Sequence, residues 1–161
     1  MKKLVLVLIT LAGFIRTPAL AAGATPDSEQ AIKEAVLATN AAMIAAANRL
    51  DTDAFFAFIV ESDRGPVVQN GVIFRTTGEA RDAVKRGLRG VVKVDRRIDN
   101  PQITVLGPDA ALLVANGSMT ATAEDGRTMA STFAVSLVFV RRGGEWKLQH
   151  GHYSMPTMTN P

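Results

Sequence analysis

The chain of 161 residues contains no cysteine, one tryptophan, one tyrosine and two histidines. Without cysteine there is no disulfide framework, no thiolate nucleophile and no sulfur ligand, so stability must come from the core alone. Long hydrophobic runs are equally scarce. The longest, Leu4 to Ile15, is about 12 residues, too short to cross roughly 30 Å of hydrocarbon as a helix. Lys2 and Lys3 precede it and Ala19-Leu20-Ala21 follows it, the layout of a secretory signal peptide over residues 1–21. A periplasmic or secreted location is expected, with no membrane association after cleavage.

Excess charge is absent too. Removing Lys2, Lys3 and Arg16 from the 18 basic residues leaves 15, equal to the 15 acidic residues, all of which lie later. The processed chain is formally neutral, and no nucleic-acid partner is expected. What remains is enough for one domain, over residues 27–156, after a flexible lead-in at 22–26 and before a short tail at 157–161.

Helical spacing comes first. Ser28 or Asp27 can cap a helix whose apolar stripe is Ile32, Ala35, Val36, Thr39, Met43, Ala46, Ala47 and Leu50. Asp51 or Asp53 restarts a short aromatic-rich helix through Phe55 and Phe58, and Thr77 or Gly78 opens a third that ends near Leu88. Between them, Val67-Val68-Gln69 and Val72-Ile73-Phe74 flank Asn70-Gly71, a strong hairpin signal. From Val91 onward the pattern turns to strands: 91–98, 103–106, 110–122, 128–141 and 145–154. Helices followed by an antiparallel meander define an α+β domain.

The last strand holds the tryptophan and both histidines. Strict alternation puts Trp146, Leu148, His150, His152 and Ser154 on one face. A two-residue loop at Gly143-Gly144 would pair them with Arg141, Phe139, Leu137, Val135 and Phe133, so that His150 and His152 face the core. The opposite, semi-apolar face, with Ala134, Ser136 and Val138, is expected to meet a second copy of the chain.

Helix-helix-hairpin-helix-meander ending in Trp-x-x-x-His-x-His-x-Ser resembles the nuclear-transport-factor-2-like superfamily, in its SnoaL-like branch near the calcium/calmodulin-dependent kinase II association domain. Asp51-Thr52-Asp53-Ala54-Phe55, Asn70-Gly71, Gly78-Glu79-Ala80 and the run from Gly143 to Ser154 carry the resemblance. It implies a curved antiparallel sheet wrapped by three N-terminal helices into a cone, a pocket between sheet and helices, and a homodimer formed through the sheet. The superfamily includes isomerases, cyclases, dehydratases, hydrolases and members that only bind, so fold alone does not assign chemistry.

The candidate site residues follow from these patterns. In the apolar cone, His150 and His152 are either acid/base groups, His152 foremost, or hydrogen-bonded core histidines. The superfamily's proton-transfer enzymes add an acidic or second polar partner, and the inner face of this strand has none. Arg96 interrupts the apolar row Val94, Arg96, Ile98 and would favour an acidic ligand if it turns inward. Asn40 flanks the first helix's stripe, and Asn116 interrupts an apolar strand. Together Arg96, Asn40, Asn116, His150 and His152 are the expected ligand contacts; no metal and no cofactor are expected. The readings are a binder of a small apolar or acidic molecule, an acid/base enzyme, or a dimerisation module whose cone is filled by Phe55, Phe58, Phe133 and Phe139.

Overall fold

The computed structural model describes residues 28–156; the leader, the lead-in, Asp27 and the tail lie outside the described residues. Helix α1 spans Glu29–Asn48, and the Ser28 hydroxyl accepts from the Ala31 N–H to cap it. Leu50, at φ 59, turns the chain so that Asp51 can cap α2, Thr52–Ala57. Strands β1, Val67–Gln69, and β2, Val72–Phe74, form the expected hairpin, and Thr76 caps α3, Thr77–Gly87. Four long strands follow: β3, Val91–Gly107; β4, Ala110–Ala123; β5, Thr128–Arg142; and β6, Glu145–Ser154.

The six strands make one curved, open sheet in the order β2-β1-β6-β5-β4-β3. All neighbours are antiparallel except β1 and β6, which run parallel. Both tight turns, Asn70-Gly71 and Gly143-Gly144, hold their two central residues at positive φ, the geometry that matches the twist of the flanking strands. The two segments expected at 91–98 and 103–106 are one strand. A register shift between Asp99 and Gln102, with Asn100 at φ 45, bends β3 there without ending its pairing to β4.

The core lies between the concave face of the sheet and α1. Phe133, Val135, Leu137 and Phe139 alternate inward along β5, opposite Gly117, Ala115, Leu113 and Ala111 of β4. Ile32, Val36 and Met43 of α1 close over this row. Gly117 is needed for close approach: a Cβ there would lie 2.5 Å from the Arg97 carbonyl oxygen and 2.5 Å from the Phe133 ring.

Candidate functional site

Where the sheet flares away from α1, α2, α3 and the β1–β2 hairpin enclose a cavity of about 450 Å³. Its walls are chiefly apolar, with Phe55, Phe56 and Ile59 from the α2 region, Ala83, Val84 and Leu88 from α3, and Val94, Met119, Phe133 and Leu148 from the sheet. Thr52, Gln69, Asn70, Arg96 and Tyr153 are its polar lining residues. Among the described residues, Arg96 is the one charged residue in the lining, and neither histidine belongs to it. The space is inconsistent with a cone filled by Phe55, Phe58, Phe133 and Phe139: Phe133 and Phe139 are buried, but Phe55 and Phe58 are only partly so.

Arg96 reaches the cavity because β3 keeps its alternation from Val94 to Ile98, with Arg96 opposite Met119. β3 is an edge strand, which leaves alternate backbone groups without a neighbouring strand. Asn48, the last residue of α1, supplies the partner at Arg96. Its Oδ1 accepts from the Arg96 N–H at 2.7 Å and its Nδ2 donates to the Arg96 carbonyl at 3.1 Å. The guanidinium carbon then lies 4.9 Å from the centroids of both the Phe133 and the Tyr153 rings, within the range of cation–π attraction. On the other face of β3, Arg97 binds Asp95 through two hydrogen bonds, at 2.7 and 3.1 Å. That bond holds the Asp95 carboxyl below its usual range and raises Arg97. Asp95 is therefore committed to Arg97, and among the described residues no carboxylate pairs with Arg96.

The histidines are placed differently from expectation. The β5–β6 register runs as expected from Arg142↔Glu145 to Phe139↔Leu148, then shifts by one residue, so that Val138 meets His150, Leu137 meets Gly151 and Ser136 meets His152. Gln149 is the extra residue of a β-bulge. Because strand side chains alternate, one extra residue exchanges the faces of everything beyond it. Gly151 and Tyr153 turn inward, while His150 is partly buried outside the cavity and His152 is exposed. The Nδ1–H of His150 donates to the Gly65 carbonyl at 2.9 Å, tying β6 to the segment that leads into β1.

Two further candidates lie away from the cavity. Asn40 is buried on the core-facing stripe of α1, but the helix lines the cavity only at its end, with Ala47 and Leu50 beyond it. Asn116 is exposed on the outer face, registered between Asp99 and Ala134. Among the described residues, no three His, Asp or Glu side chains converge as metal ligands would. Sequence reasoning missed Tyr153, Asn48, Gln69 and Asn70. The available signal was Gly151: a small residue alternating with Leu148 and Tyr153 across one irregular step keeps an apolar row facing Leu137, whereas uninterrupted alternation turns two imidazoles inward.

Comparison with known proteins accords with this architecture. No curated protein matches the sequence. In fold, the chain is similar to a nuclear transport factor 2 (NTF2-like) superfamily protein from Salmonella enterica serovar Typhimurium LT2, with 20% identity over 83% of this chain and 96% of that one and a TM-score of 0.72. It is also similar to the hexachlorocyclohexane dehydrochlorinase LinA-type3 from Novosphingobium barchaimii LL02, with 12% identity, 81% and 90% coverage and a TM-score of 0.67. A third similar structure, from Xanthomonas campestris, is a proposed calcium/calmodulin dependent protein kinase II association domain, with 17% identity, 83% and 91% coverage and a TM-score of 0.63. Residues 36–158 match the SnoaL-like domain, and the chain belongs to that family.

Proposed function

We propose that the protein binds a small, largely apolar molecule in the cavity between the sheet and α2, α3 and the hairpin. The observation that carries this reading is the cavity itself: about 450 Å³, within the size range of small-molecule sites, with apolar walls and a few polar groups grouped at β1, β3 and β6. Acid/base chemistry through His152 finds no support in this geometry, since His152 is exposed and absent from the lining. The dehydrochlorinase neighbour is an enzyme on the same fold; at 12% identity its activity does not carry over.

Nile red, a neutral apolar dye, tests the reading. Fluorescence enhancement with the native protein, and at least tenfold weaker binding to Ala83→Trp at an unchanged melting temperature, are the expected results. Absence of enhancement with the native protein would sink the proposal.

Two accompanying proposals concern location and assembly. The leader at residues 1–21 supports export, testable by the intact mass of protein recovered from the periplasmic fraction. A mass starting at Met1 would count against it. The outer face of the sheet carries Leu112, Val114 and Val138 beside Ala134 and Ser136, a semi-apolar patch suited to pairing two copies. A Val138→Glu variant should then elute as a monomer where the native protein elutes as a dimer.

A further inference from the structure

The geometry points to a more specific ligand class: an apolar monocarboxylate whose carboxylate is held by Arg96 while its hydrocarbon body fills the cavity. The inference rests on the proposal that the cavity binds a small molecule. It begins from a mismatch. A guanidinium carries five N–H donors and cannot shed its charge. Here it stands in the lining of an apolar cavity with no carboxylate partner and no side-chain hydrogen bond among the described residues. The Phe133 and Tyr153 rings attract the cation but carry no charge to neutralise it. Its donors are left for something that enters the cavity.

The side chain is also held in place before any ligand arrives. Asn48 fixes the Arg96 backbone through both its N–H and its carbonyl, and the guanidinium rests against two adjoining rings. Such preorganisation reduces the ordering that binding would otherwise require. The fork of a guanidinium matches a carboxylate through two parallel hydrogen bonds. Charge then narrows the class. Among the described residues, Arg96 is the one charged residue in the lining, and its polar companions are Tyr153, Gln69, which is registered opposite Tyr153 in the β1–β6 ladder, Asn70 and Thr52. One positive charge with neutral donors suits a monoanion. A phosphate monoester carries about 1.5 to 2 charges at neutral pH and would leave the excess unneutralised in apolar surroundings.

Calorimetry with decanoate, decanol and decyl phosphate, beside Nile red displacement, tests the class. Decanoate is expected to bind at least tenfold more tightly than the other two. Arg96→Met should abolish that preference while leaving decanol unchanged, and Arg96→Lys should keep only part of it. Equal binding of decanoate and decanol, or a decanoate affinity that survives Arg96→Met, would overturn the inference while the cavity reading stands on Nile red. Tighter binding of decyl phosphate would replace the monocarboxylate with a phosphate ester. If Nile red, decanol and decanoate all fail to bind, the cavity reading falls and this inference with it. Should Arg96→Met not fold, the Nε–H resonance of Arg96 in the native protein decides. It should move on adding decanoate and stay on adding decanol, and a resonance indifferent to decanoate refutes the inference.

Discussion

Arg96 on β3 and His152 on β6 stand on strands of the same sheet, yet one lines the cavity and the other meets solvent. The difference lies in what each strand has as neighbours. From Val94 to Ile98, β3 has β4 on one side and Asn48 on the other, so its alternation runs unbroken through Arg96. β6 changes neighbour along its length. The Leu148 N–H donates to Phe58 and its carbonyl accepts from Val60, whereas from Gly151 onward the strand lies against Pro66 and β1. The bulge at Gln149 falls at this handover. A strand that must satisfy two successive partners is free to insert a residue between them, and that residue exchanges the faces beyond it.

The sharpest break of this comparison comes at Leu148, the last inward residue before the bulge and 1% exposed. Leu148→Ala should lower stability by about 2–5 kcal/mol in urea denaturation, through lost burial and a cavity beneath β6. Gly117→Ala should follow, at about 1–3 kcal/mol. Its new methyl meets the Arg97 carbonyl as well as Phe133, and because backbone cannot swing aside, the ring beside Arg96 must move. Nile red binding should weaken with it, and unchanged binding would mean that Phe133 does not shape the cavity. Asn48→Ala should remove about 1–2 kcal/mol and release the edge of β3, visible as faster amide exchange at Arg96. His152→Ala, next to the inward Gly151 and so on the opposite face, should shift stability by less than about 0.5 kcal/mol. A loss as large as that of Leu148→Ala would contradict the assigned register.

The smallest effect concerns acid. Asp53 at the start of α2 bonds Lys85 of α3 at 2.9 Å, and this holds its carboxyl below the usual value. A carboxyl depressed on folding stabilises the protein above its ordinary value of about 3.9, and that contribution disappears as pH falls through the lowered value. Asp53→Asn should therefore melt slightly below the native protein at pH 7, with the gap closing beneath about pH 4. A gap that widens in acid would mean that the pair does not bridge α2 and α3.

Much of the fold was legible because local chemistry and long-range pairing agree. Asn70-Gly71 and Gly143-Gly144 demand tight hairpins, Asp51 stands where a helix restarts, and the inward row from Phe133 to Phe139 follows from a period of two. Arg96 was legible for the same reason, its strand being regular on both sides of it. His150 and His152 were not, since one inserted residue reverses a face while leaving composition, strand length and hairpin turn unchanged. Tyr153 is hidden for the same reason, since strict alternation from Trp146 places it on the face opposite the histidines. Asn48 has no sequence signature at all, because its role exists only where the end of α1 meets a strand 48 positions later.

By itself, the sequence determined the order of elements, both tight turns and the apolar rows that close the core, since each depends on residues within a few positions of one another. The tertiary structure alone decided where β6 changes partners, which way its last residues face, and that one arginine stands over two adjoining rings in a cavity that, among the described residues, is otherwise uncharged. Those outcomes depend on contacts between segments far apart in the chain, and no local preference distinguishes a strand that continues from one that takes on a single extra residue.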